Sequence, residues 1–133
     1  MAKRKFEDVI AEQGRLIYTN VGDSMYPLIK PRDLRVIEAV KQPLKVGDVP
    51  LYKRDSGQYV LHRIIRIKKG EYIICGDNRC GKERGITDDH IIGELTHLIR
   101  EGKEFSVKSF KYRLYAHMLP LRRLTLRIRN LLS

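Results

Sequence analysis

The sequence predicts a mainly β domain of small antiparallel sheets, opened by a short helix and closed by a basic helical tail. Three observations carry this. Short segments rich in β-branched and aromatic residues alternate with turn residues from about 14 to 107. The first dozen residues carry apolar side chains at helical spacing. Beyond Val107 the acids vanish and a helical apolar stripe begins.

Residues 3–13 read as a helix, with Phe6, Val9 and Ile10 at i, i+3 and i+4, and Gly14 as its stop. "RLIYTNV" and "LRVIEAV" are the first two strands, and "KQPLKVGD", with Pro43 and Gly47, is a connection. "VPLYKR", "QYVLHRIIRI" and "EYIICGD" follow as strands. Asp55-Ser56-Gly57 and Lys68-Lys69-Gly70 form the hairpin loops between them. "HIIGELTHLIR" is a further strand, turning at Glu101-Gly102 into "KEFSV". The tail "KSFKYRLYAHMLPLRRLTLRIRNLLS" is helical in pattern and interrupted at Pro120. The chain thus divides into a β domain, 1–107, and a tail, 108–133.

With 133 residues, 42% of them apolar, the chain is long enough for one cored domain. Its net charge of +11 favours an anionic partner: nucleic acid, a membrane surface or an acidic peptide. Cys75 and Cys80 are too few for a disulfide framework, and a lone C-x4-C pair is a poor zinc site. Two reduced thiols in a cytosolic chain are expected. The start lacks the apolar run of a signal peptide, and no window nears the roughly 20 apolar residues of a membrane span. The expectation is a cytoplasmic protein, either free or peripheral on a membrane.

Ser24 lies in "GDSMYP". A nucleophilic serine needs an exposed hydroxyl, a neighbouring base and donors for an oxyanion. A sharp turn of small residues meets the first and last needs. Gly22 permits unusual dihedrals, Pro27 fixes the exit, and Met25 can pack beneath. A plain turn with a packed methionine is the competing account. His62, in "VLHRI", sits inside an expected strand, where a ring of near-neutral pKa is held in place as a general base requires. Asp77 in "CGDN" and Glu83 in "NRCGKERG" each offer a carboxylate to orient that ring.

In order, the chain carries S-M-x-P, G-D-V, H-R-I, G-D-N and I-I-G. This succession, across residues 20–95, resembles the signal peptidase I family and its wider superfamily with LexA-like self-cleaving repressors. The resemblance implies a peptidase fold of small sheets with a shallow groove that takes an extended peptide by β-pairing. It implies Ser24 as nucleophile, His62 as general base, and Asp77 or Glu83 as the orienting acid. Lysine is the base in bacterial signal peptidases and LexA-like proteins. Histidine before arginine, as at His62-Arg63, resembles the archaeal and endoplasmic-reticulum type. No metal or organic cofactor is implied.

The chain departs from the family's pattern in three ways. No N-terminal span is expected from its first residues. Gly22 stands where many bacterial members carry an oxyanion-hole serine, so backbone N–H groups such as that of Ser24 must serve. The stretch between "GDN" and "IIG" is short and does not plainly align the family's second acid, for which Glu83 fits by spacing. The expected function is a serine endopeptidase acting on a peptide or protein segment. The alternative is a LexA-like regulator or a non-catalytic peptide-binding module. Only about 20 residues precede Ser24, too few for a helix-turn-helix unit, so nucleic acid is the disfavoured partner. From Lys108 to Ser133 the tail has an apolar stripe, Leu121, Leu124, Ile128, Leu131 and Leu132, opposite Arg122, Arg123, Arg127 and Arg129. Either it docks on an anionic membrane surface, or the stripe packs on the β domain.

Overall fold

Gly14 ends the first helix where the sequence places its stop. The computed structural model describes residues 4–132, and in it α1 (Phe6–Gln13) closes as Gly14 turns left-handed, φ 79°, bonding Ile10. The expected helix start at residue 3 lies outside the described residues. Among the described residues nine strands follow. They are β1 (Arg15–Tyr18), β2 (Leu34–Glu38), β3 (Pro50–Lys53), β4 (Tyr59–Leu61), β5 (Arg63–Lys68), β6 (Glu71–Cys75), β7 (Glu83–Ile86), β8 (Ile91–Arg100) and β9 (Lys103–Ser106).

All described pairings are antiparallel. One sheet runs β1-β2-β8-β3-β4, with β9 also on β8, and a smaller one runs β5-β6-β7. Helices at both ends flank these sheets, giving a small domain of mixed α/β content.

Two expectations need correction. "QYVLHRIIRI" is not one strand. It breaks at His62, where the chain leaves the large sheet after β4 and enters the small one as β5. Continuous β-branched sequence conceals such a crossing, because each half is a good strand. Strand β7, "ERGI", was not anticipated, since a charged segment with a central glycine carries little β signal.

The domain has two cores. Ile10, Leu16, Met25, Leu28, Ile37, Leu51, Leu61 and Leu95 belong to the first. Leu44, Tyr52, Val60, Ile64, Tyr72 and Ile74 belong to the second. Successive residues of a strand face opposite sides. Leu51 and Leu61 therefore serve the first core while Tyr52 and Val60 serve the second. His62 follows directly, at the seam between them.

The tail forms α2 (Phe110–His117) and α3 (Leu119–Leu132). The break falls at Met118 rather than at Pro120. Proline sits in the first turn of α3, where a missing N–H leaves no helical bond unmade. Tyr112 stacks on Phe105 of β9, ring centres 5.8 Å apart, and Leu119 is buried. The predicted stripe is exposed: Leu121 61%, Leu124 52%, Ile128 50%, Leu131 and Leu132 84%. Among the described residues no helix is long and apolar enough to cross a membrane.

Candidate active site

Ser24 lies in the turns between β1 and β2, over a cis Tyr26–Pro27 bond. Met25 is buried beneath it in the first core, as its flexible side chain allows. The Ser24 hydroxyl is therefore carried on a turn pinned from below. Its Oγ lies 2.9 Å from Nε2 of His62. These two residues, 38 apart in sequence, are brought together as the sequence suggested.

Two of the other motifs prove to be clamps on this pair. Gly47, at φ 99°, is tied to the His62 segment: its N–H donates to the Ile64 carbonyl at 2.9 Å. The Ile64 N–H returns a 2.8 Å bond to the Asp48 carbonyl. "GDV" thus grips the chain just after His62. The "GDN" loop grips the serine. Asn78 N–H donates to the Ser24 carbonyl at 2.8 Å, and Asn78 Nδ2 reaches the Asp23 carbonyl at 3.3 Å. Gly76 has to be glycine here: a Cβ would stand 2.7 Å from the Ser24 carbonyl oxygen and 3.3 Å from the His62 ring.

The two candidate acids lie elsewhere in the network. Asp77 is fully buried, with Oδ1 and Oδ2 each accepting from Arg63 at 2.9 Å. Tyr115 of α2 donates a further 2.9 Å bond to Oδ2. Glu83, at the start of β7, accepts two 2.8 Å bonds from Arg54 and one of 2.6 Å from the Tyr52 hydroxyl. Those Arg54 bonds hold the Glu83 carboxyl below its ordinary value, against the effect of burial. Among the described residues neither carboxylate hydrogen-bonds the His62 ring; both act on it through the field alone.

That field is weaker than desolvation. Burial pushes the His62 pKa down to about 4, and Arg54 and Arg79 add to the fall; Glu83 and Asp77 only partly oppose it. The ring is neutral at physiological pH, so Nε2 can accept the Ser24 proton. Gly22 N–H is committed to Asn20 Oδ1 at 3.3 Å, whereas the Ser24 N–H donates to no acceptor among the described residues.

A cleft of about 460 Å3 opens beside the pair, lined by Tyr18, Asn20, Arg35, Arg54, Gln58 and β4. Strands β1 and β4, the two ends of the large sheet, both border it. Among the described residues each pairs with one neighbour only, so both are open edges beside the cleft.

Sequence reasoning missed Arg54, Tyr115, Asn78 as a clamp, and the role of Arg63. One signal was available. The Lys69-Gly70 turn sets the β5–β6 register, which places Arg63 opposite Cys75 and hence beside the "GDN" acid. Tyr115 had no local signal, because its partner is 38 residues away. Both cysteines are free of disulfides, and among the described residues no cluster suits a metal ion. No protein-family model matches the chain, and no curated protein matches it in sequence.

Proposed function

We propose that the chain is a serine endopeptidase of the signal peptidase I type, with Ser24 as nucleophile and neutral His62 as general base. The 2.9 Å contact between Ser24 Oγ and His62 Nε2 carries the reading. A peptide pairs along the open edge of β4 and presents a carbonyl carbon to Ser24. Ser24 Oγ attacks as its proton passes to Nε2, and the Ser24 N–H supports the oxyanion. Collapse breaks the C–N bond, and the imidazolium returns its proton to the leaving amine. Water, deprotonated by the same ring, then hydrolyses the acyl-Ser24 ester and restores both residues. With Asp77 and Glu83 engaged by arginines, the ring is oriented by packing and by the Gly47–Ile64 clamp.

The test is cleavage of peptides with small residues before the cut. Removing either member of a pair that acts as a unit costs several orders of magnitude in rate, and removing both little more. Ser24→Ala and His62→Ala should each abolish turnover and keep the wild-type melting temperature. Unchanged turnover in Ser24→Ala would overturn the reading. Peptide binding without cleavage by the intact chain would favour the non-catalytic module instead.

We further propose that the α2–α3 stripe seats on an anionic membrane surface. Phe110, Leu114 and Met118 extend the exposed apolar line at four-residue steps onto Leu121, Leu124 and Ile128. From Phe105 to Ser133 the sequence has seven Lys or Arg and no acid, so charge complementarity selects an anionic partner and opposes a second copy of the tail.

A further inference from the structure

The cleft beside Ser24 holds a buried cation that, among the described residues, no carboxylate pairs with. Arg35 of β2 lines it and is only 6% exposed. Register explains its direction. Arg35 stands opposite Tyr18 of β1 and Leu98 of β8, and directly opposed residues share a face of the sheet. Leu98 is fully buried, so Arg35 points to the inner side, toward the cleft.

Its partners are weak. Nη1 reaches the Asn20 carbonyl at 3.5 Å, the outer limit of a hydrogen bond, and the guanidinium sits 5.6 Å from the centre of the Tyr18 ring. The nearest acid in sequence, Asp33, is already occupied. It accepts from Arg100 at 2.9 and 2.6 Å and from the Lys30 N–H at 2.8 Å. Among the described residues Arg35 makes no ion pair. The other guanidinium of the cleft, Arg54, contrasts with it: Glu83 and Gln58 take its donors. Buried guanidinium groups are ordinarily paired, because desolvation disfavours their charge. Burial lowers the Arg35 pKa here, with Tyr18 and Asp33 offsetting it only in part.

We propose that Arg35 is a specificity determinant, whose forked donors take the carboxylate of a Glu or Asp side chain in the peptide bound beside Ser24. The proposal rests on the peptidase reading for its substrate class. A peptide along β4 crosses the same cleft that Arg35 lines, so one of its side chains enters beside the guanidinium. A bidentate Arg–carboxylate pair is the strongest polar contact such a site can offer. The preference is then for an acidic residue near the cut.

Binding is read on the Ser24→Ala chain by calorimetry, with short peptides carrying small residues before the cut and Glu or Gln placed at each flanking position in turn. At one position Glu should bind about tenfold or more tighter than Gln, with the margin shrinking as salt rises. Arg35→Met in the same background should erase that margin and leave the melting temperature equal or higher, since a buried unpaired charge is removed. Arg35→Lys, which keeps charge without the fork, should retain part of it. Equal Glu and Gln affinity at every position overturns the proposal, as does a margin that survives Arg35→Met. A melting temperature lowered in both variants, with the Glu margin lost equally in Arg35→Met and Arg35→Lys, makes Arg35 structural and overturns it too. Turnover by the chain with Ser24 intact separates the two readings. Acid-selective binding without cleavage sinks the peptidase and spares Arg35, and cleavage indifferent to acid does the reverse.

Discussion

His62 is a weaker base than a free imidazole, and that shapes its pH behaviour. With its pKa pushed down to about 4 by burial, the ring stays unprotonated through pH 5. The acidic limb of kcat/KM should fall with a midpoint near 4. A midpoint near the ordinary 6.5 would show that the ring is solvated in the working state. The same shift has a stability sign. Between those two values the unfolded chain binds a proton that the folded one refuses, so stability rises with pH. The His62 contribution is complete above about pH 6.5 and is lost as pH falls toward 4. Asp77 behaves differently. Its two bonds to Arg63 and one from Tyr115 make Asp77→Asn a stability variant, because a buried guanidinium is left without its counter-charge. Breaking such a pair typically costs about 3–5 kcal/mol. Asp77→Asn should lower the melting temperature markedly, as thermal unfolding followed by circular dichroism would record. An unchanged melting temperature with lost turnover would restore Asp77 as the acid that orients the ring.

Hairpins were the most legible elements, since Lys69-Gly70 and Glu101-Gly102 fix their turns by local dihedral preference. The Ser24–His62 pair was legible for a related reason: a serine on a tight turn and a histidine flanked by strand residues are local patterns. What stayed hidden depended on distant partners. The crossing at His62, strand β7 and the Tyr115–Asp77 bond follow from which sheet each segment joins, and no window of sequence states that. The tail lies between these cases. Its amphipathic pattern was plain, but the direction of its apolar side was not. Arg122 bonds Asn78 at 2.8 Å and the Arg123 guanidinium lies 3.9 Å from Asp77, so these two face the domain, while Arg127 and Arg129 further along are exposed with the leucines and remain free to meet an anionic surface. Vesicle flotation should therefore show binding to anionic liposomes at low salt and weaker binding at high salt. Leu124→Glu and Ile128→Glu should reduce it without loss of melting temperature, both positions being half exposed. Binding absent from anionic and neutral vesicles alike would contradict the docking proposal.

Across the whole molecule, the two cores meet back to back on the β3–β4 hairpin, which lends alternate residues to each. Neither core can loosen without disturbing the strand that delivers His62. Ser24 is tied to the first core through Met25, and its carbonyl is held by a loop leaving β6, a strand of the second. Loss of turnover on heating should therefore coincide with loss of far-ultraviolet ellipticity, in one transition. Inactivation several degrees below the spectroscopic midpoint would mean that the cores separate first. The hairpin's divided allegiance has a practical side as well. The distance between one hydroxyl and one ring nitrogen is set by the agreement of two sheets, so under the proposed peptidase reading a turnover assay would double as a thermometer for the integrity of both sheets. A stabilising substitution in either core, however far from the cleft, would be read out as a longer working life at a given temperature.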